Sequence, residues 1–164
     1  MNECRQPRAW VGVVSQAHVQ RGVAGGFAQL CHGKQSPLAR MGVGDWLVYY
    51  SPRTAFPSGA PLRAFTALGR VVGDRTYTVD MGGGFVPHRR DIAYVRGLRA
   101  VPIREISDLG FVTRHANWGL LARRGHFEIE IADLCRIAAA MGADPRVCVE
   151  GGVPLRSAHA TFQR

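Results

Sequence analysis

Lysine is nearly missing from this chain: of 21 basic residues, all but Lys34 are arginine. Acidic residues are also few, 12 against 21, so the net charge is +9 and the pI about 10.4. Arginine in place of lysine, with abundant alanine and glycine, fits a GC-rich coding sequence, but that bias does not account for the excess of positive charge. A basic domain gathers polyanions, nucleic acid foremost, and arginine grips phosphate bidentately and stacks on bases. No apolar run reaches the length of a membrane-spanning helix. The opening MNECRQPRAW lacks the apolar middle of a secretory signal, so the expected location is cytoplasmic. Cysteine is sparse: Cys4, Cys31, Cys135 and Cys148 form no CxxC pair. That argues against a disulfide framework and for reduced thiols. Catalytic signatures are missing too, with no nucleophile elbow, HExxH or phosphate loop, and GVAGG does not match GxGxxG.

What the chain has is short strands at close spacing. WVGVV (10–14), WLVYY (46–50), 64–72, 75–79, 86–94 and 98–103 read as short strands, with glycine-bearing turns and a proline-rich loop among their connections. Strands of this kind predict a small barrel rather than a parallel sheet. In WLVYY, Trp46, Val48 and Tyr50 share one face, and Leu47 and Tyr49 the other. Gln16–Arg21, led by Ser15, suits a short helix, and GVAGG after it reads as loop. Ser36–Met41 suits one helical turn with proline early in it. The clearest helix is Ile131–Met141, with apolar residues at helical spacing and Gly142 as its stop. The expected division is one domain over 1–142 and a weakly ordered tail over 143–164, which loses all periodicity.

The stretch Gly26–Lys34, GFAQLCHGK, gathers an aromatic, an amide, a thiol, an imidazole and the lone lysine. Metal ligation by His18, Cys31 and His32 lacks paired-ligand spacing. Cys31 could be a nucleophile, yet a lone cysteine between Leu30 and His32 is more often a small packed residue. A flat ligand would need aromatic faces and a few polar groups. Phe27, the Tyr49-Tyr50-Ser51-Pro52 run and Trp118 could supply the rings, or could simply pack in the core. Arg89-Arg90 and Arg123-Arg124 could grip phosphates or end as solvated charges.

The ordered motifs WVGVVSQAHV, GVAGGFAQLCHGKQSPLARMGVGDWLVYYSP, FTALGRV, FVPHRRDIAY, VPI, NWG and HFEI resemble the EVE-domain family, from about Trp10 to about Met141. That family is similar to PUA-like proteins, among them the YTH domains that read methylated adenine. The resemblance implies an α+β, mainly β fold: a PUA-like twisted barrel of five to six strands with short flanking helices. It also implies a non-catalytic module, without cofactor or metal, whose partner is DNA or RNA carrying a modified base, above all modified cytosine. The base would leave its stack and enter a pocket. Ser15 and His18 would form one wall, with Gly26 giving close backbone approach. Phe27 would stack on the base, Gln29 would read its edge, and Tyr50, Ser51 and Pro52 would face them. His32, Lys34 and Arg53 would lie near the sugar-phosphate, and Arg89, Arg90, Arg123 and Arg124 along the backbone. Phe27 and Tyr50 stand where YTH cages carry tryptophans, which turns the expectation away from methylated adenine. A thiol enzyme using Cys31 and a small-molecule sensor in the same fold are the rival readings.

Overall fold

Burial of one strand on both faces organises the molecule. The computed structural model describes residues 5–144; the expected weakly ordered tail lies, from residue 145 on, outside the described residues. In chain order the elements are β1 (Ala9–Val13), α1 (Gln16–Gly25), β2 (Phe27–Ala28), α2 (Gln35–Arg40), β3 (Trp46–Arg53), β4 (Pro61–Val71) and β5 (Tyr77–Thr78). Then follow β6 (His88–Tyr94), β7 (Val101–Pro102), α3 (Gly110–Thr113), α4 (Gly119–Arg123), β8 (His126–Ile129) and α5 (Ile131–Ala140). The strands make one curled, mixed sheet in the order β2-β6-β4-β3-β1-β8, with β5 on β6 and β7 on β4. β1 runs parallel to β3, Trp10 opposite Leu47, and the other pairs are antiparallel. This is the mainly β, α+β half-barrel that the strand pattern predicts. β2 and β8 are additional strands. Their sequences, FA and HFEI, are too short to carry a periodic signal of their own.

The WLVYY run has the alternation expected of it, and both faces are buried. Trp46, Val48 and Tyr50 pack into a core with Phe65, Leu68 and the apolar face of α5. Leu47 and Tyr49 pack on the other side with Trp10, Leu30, Leu38 and Ile92. A strand covered on both sides loses the apolar–polar alternation of a half-exposed one. β3 also slips register against β4 between Tyr49 and Tyr50 and again between Ser51 and Arg53. Such bulges bend a strand and redirect its side chains.

GVAGG is not loop. Gly22 and Gly25 lie within α1, and Gly26 ends the helix at φ 71°, donating its N–H to the Gly22 carbonyl. That left-handed cap suits glycine. A Cβ on Gly25 would stand 2.5 Å from the Phe27 ring, so glycine here lets the ring fold back against the helix end. Cys31 is a free thiol; Cys135 is disulfide-bonded, contrary to the expectation of reduced thiols throughout.

The loop before β3 is held by Asp45, whose side chain is fully buried. It accepts hydrogen bonds from the Arg8 amide (3.0 Å), the Gly42 amide (2.8 Å) and the Trp10 indole (3.0 Å), and pairs with Arg5. Burial would push this carboxyl up, but the Arg8, Gly42 and Trp10 donors outweigh it and hold it below its ordinary value. Removing the carboxylate strands three donors, the Arg8 and Gly42 amides and the Trp10 indole, while the half-exposed Arg5 is left to water. Asp45→Ala should therefore destabilise the fold by about 3–5 kcal/mol, measured by urea unfolding at pH 7, with Asp45→Asn losing less.

Candidate nucleic-acid interface

A cleft of about 560 Å³ opens between the first turns of α1, the β2–α2 connection, the end of β3 and α4. Ser15 and His18 form one wall, and Phe27 and Gln29 another. His32 and Lys34 come from the connection, and Pro52 and Arg53 from the end of β3. Arg89, Arg123 and Arg124 complete a basic rim. The chain thus brings eleven of the fifteen residues expected to bind base or backbone to one cavity. Phe27 is set by local geometry: the Tyr94 hydroxyl donates to its carbonyl at 2.9 Å, and the Arg89 guanidinium lies 3.9 Å from its ring centroid. Arg89 Nε also donates to Gln29 Oε1 at 3.1 Å. With that oxygen engaged, Gln29 offers the cleft its amide N–H groups.

The connection carrying His32 is strained. Cys31 and His32 have φ of 48° and 59°, followed by Gly33 at 84°. Two non-glycine residues in the left-handed region cost about 1–3 kcal/mol each. They are held there by buried Leu30, whose carbonyl accepts from the Gly33 and Lys34 amides at 2.9 and 3.2 Å. The turn directs Cys31 and His32 to the cleft wall, and His32 meets Phe56 edge-on at 6.1 Å.

Four expected site residues do not line the cleft. Tyr50 is only 5% exposed and packs edge-to-face on Phe65 and Trp118, so it is core. Trp118, also considered as a ring, is held in that cluster. Ser51 is fully buried, its hydroxyl 2.8 Å from that of Thr66. Gly26 caps a helix instead. Arg90 is buried and donates to the carbonyls of Gly73 (2.9 Å), Leu38 (2.8 Å) and Met41, so it ties α2 to β6. Alternation along β6 splits the arginine pair, Arg89 to the cleft and Arg90 to the interior. Tyr49 supplies the wall in place of Tyr50; burial pushes its hydroxyl up to about 12, keeping it protonated.

Sequence reasoning also missed Phe56, Met81 and Phe85, which line the cleft while largely exposed, Phe56 at 69%. Phe56 lies in the proline-rich loop, and the other two flank Gly82–Gly84. An aromatic in a glycine or proline loop carries no periodic signal, although unpacked rings around one cavity do suggest a contact surface. A second cleft of similar size, near Arg8 and Glu130, is lined by groups that satisfy each other. Glu130 pairs with Arg114, Glu128 with Arg8, and Asp133 accepts the Gly110 and Phe111 amides. Its carboxylates are all engaged, so it is the weaker candidate.

Comparison with known proteins is decisive for the family. A profile of the EVE domain matches residues 8–140. The chain belongs to the EVE domain family. It is 52% identical over 136 residues to the UPF0310 protein YdcG of Bacillus subtilis (strain 168), covering 82% of this chain and 92% of that one. It is 45% identical over 136 residues to a UPF0310 protein of Mycolicibacterium gilvum (strain PYR-GCK), covering 82% and 96%. A solved structure of a hypothetical protein from Leishmania major superposes with a TM-score of 0.56 over 84% of this chain and 96% of that one, at 11% identity. That last likeness speaks for the fold alone. Family membership points to a PUA-like fold of the nucleic-acid-binding kind.

In this EVE domain one buried polar group lining the cleft and one beside it lack hydrogen-bond partners. Ser15 is 8% exposed and its hydroxyl has no hydrogen-bond partner. His126, beside the cleft on β8, is 2% exposed, stacks on Trp10 at 4.7 Å, and has neither ring nitrogen bonded. Burial, with Arg40 adding, pushes its imidazole down to about 4. A folded-state value below the unfolded one means that unfolding takes up a proton. Stability is then full above about pH 6.5 and falls by up to about 1.4 kcal/mol per pH unit as pH drops toward 4. His126→Phe should flatten that loss between pH 6.5 and 5 in thermal or urea melts. In the same melts at pH 7, Tyr50→Ala should cost about 3–5 kcal/mol as a core truncation, whereas Ser15→Ala, which removes an unpaired hydroxyl, should cost almost nothing.

Proposed function

We propose that this EVE domain is a non-catalytic nucleic-acid-binding module whose cleft receives a single modified base, modified cytosine before methylated adenine. The observation that carries this reading is the unpartnered Ser15 hydroxyl in the cleft wall. A buried hydroxyl without a partner costs about 1–3 kcal/mol, and a ligand that completes it recovers that cost. Ser15 can donate or accept, while Gln29 offers donors once Arg89 holds its oxygen. A cytosine edge, with an amino donor beside ring acceptors, suits this pair.

Energetics set the rest. Flipping a base costs a few kcal/mol, and stacking on Phe27 returns about 1–3 kcal/mol. A methyl in a matched hollow adds about 0.8 kcal/mol. Lys34, Arg53, Arg123 and Arg124 at the rim suit the sugar-phosphate. The non-catalytic half of the reading is supported by Cys31. Burial pushes its thiol up, and its Sγ donates to the Arg124 carbonyl at 3.7 Å. A protonated thiol is a poor nucleophile.

The test is binding of oligonucleotides that differ only in base modification. Phe27→Ala should weaken the preferred one about 5- to 150-fold, equivalent to about 1–3 kcal/mol, and Ser15→Ala about 5- to 10-fold. Cys31→Ser should leave binding nearly unchanged. Affinity should also fall steeply with salt. A salt-independent affinity would favour the small-molecule sensor, and turnover abolished by Cys31→Ser would favour the enzyme.

A further inference from the structure

A smaller cavity of about 290 Å³ lies beside the main cleft. The two share Cys31, Lys34 and Arg124 in their walls. The smaller one adds Arg40, at the end of α2, and His126. Lys34, Arg40 and Arg124 are exposed, and the ion pairs found among the described residues engage none of them. Glu128 also faces this cavity, but both of its oxygens are taken by Arg8. Positive charge therefore dominates, which disfavours a metal cation and favours an oxyanion.

His126 supplies the second, independent observation. Its ring is buried and flat on Trp10, and neither nitrogen is bonded. A neutral imidazole carries one N–H donor and one acceptor, and a native fold seldom leaves both unused. The donor matches an anionic oxygen already drawn in by three cations.

We propose that Lys34, Arg40, Arg124 and His126 form a phosphate subsite, distinct from the base cleft, that holds a backbone phosphate next to the extruded nucleotide. Its place beside a bound nucleotide rests on the reading under Proposed function; the anion site itself does not. Burial lowers the His126 imidazole to about 4, so at neutral pH it meets the phosphate as a neutral donor rather than as a cation.

The first experiment titrates inorganic phosphate into the full chain at constant ionic strength, with chloride as the control, and follows the His126 ring nitrogens by NMR. A saturable shift is expected, weakened about tenfold by Arg40→Gln. Arg40 is exposed, so this variant should fold. No shift, or one that Arg40→Gln leaves unchanged, overturns the subsite.

The second experiment compares a modified-cytosine oligonucleotide with the free modified nucleoside. Arg40→Gln should weaken the oligonucleotide about tenfold and lower its salt slope by about one. Nucleoside binding should stay unchanged, since Arg40 does not line the main cleft. Oligonucleotide affinity unmoved by Arg40→Gln, while the same variant does weaken the phosphate shift, overturns the placement and assigns the site to free phosphate. If neither nucleoside nor oligonucleotide binds while phosphate does, the base reading falls and the anion subsite stands.

Discussion

Asp45 holds a buried negative charge at the point where three parts of the chain meet. The strand β1 approaches from Arg8 and Trp10, the turn after α2 from Gly42, and β3 begins at the next residue. A bare carboxylate there would be unstable, and its donors are what make burial tolerable. The same bonds fix β1 alongside β3, with the Trp46 amide donating to the Arg8 carbonyl at 2.8 Å. That parallel pair needs a crossover between its strands. Here the crossover is α1, β2, the Cys31 turn and α2, which is also the segment that supplies Ser15, His18, Phe27, Gln29, His32 and Lys34 to the cleft. The site is thus built from the connection that the parallel pairing requires.

The cleft follows from how that connection is packed. Gly25 and Gly26 end α1 tightly, so that Phe27 enters a two-residue strand against β6 rather than the core. Arg89, from β6, then lies over the ring and fixes the Gln29 amide. Leu30 plunges into the interior, and the left-handed turn after it throws Cys31 and His32 back toward the surface. Apolar anchors alternate with polar groups along nine residues, so a short stretch lines a pocket without being a regular element. Strain of this kind is usual at ligand-holding positions.

Much of the site was legible because its residues cluster in sequence. GFAQLCHGK could be recognised as a pocket lip since aromatic, amide and cation stand close together in a glycine-bounded stretch. The tyrosine was harder to place. Alternation separates Tyr49 from Tyr50, but both faces of β3 are buried, so alternation cannot tell which face meets the cleft. Arg89 and Arg90 pose the same problem on β6, where one neighbour faces the cleft and the other caps carbonyls inside. The exposed aromatics of the loops, Phe56 and Phe85, were illegible because loop position has no period.

By itself the sequence determined the mainly β, α+β class, the surplus of positive charge, the two-faced pattern of WLVYY and the family to which the motif order belongs. These are properties of composition and local spacing, which short-range sterics and side-chain polarity impose wherever the chain folds. Only the tertiary structure decided that Tyr49 rather than Tyr50 reaches the cleft, that Arg90 serves the interior, and that Ser15 and His126 are buried with unused hydrogen-bonding groups. Those outcomes depend on which distant segment covers each face. Hydrogen-bond satisfaction at a buried atom is set by neighbours tens of residues away, and no local pattern encodes it.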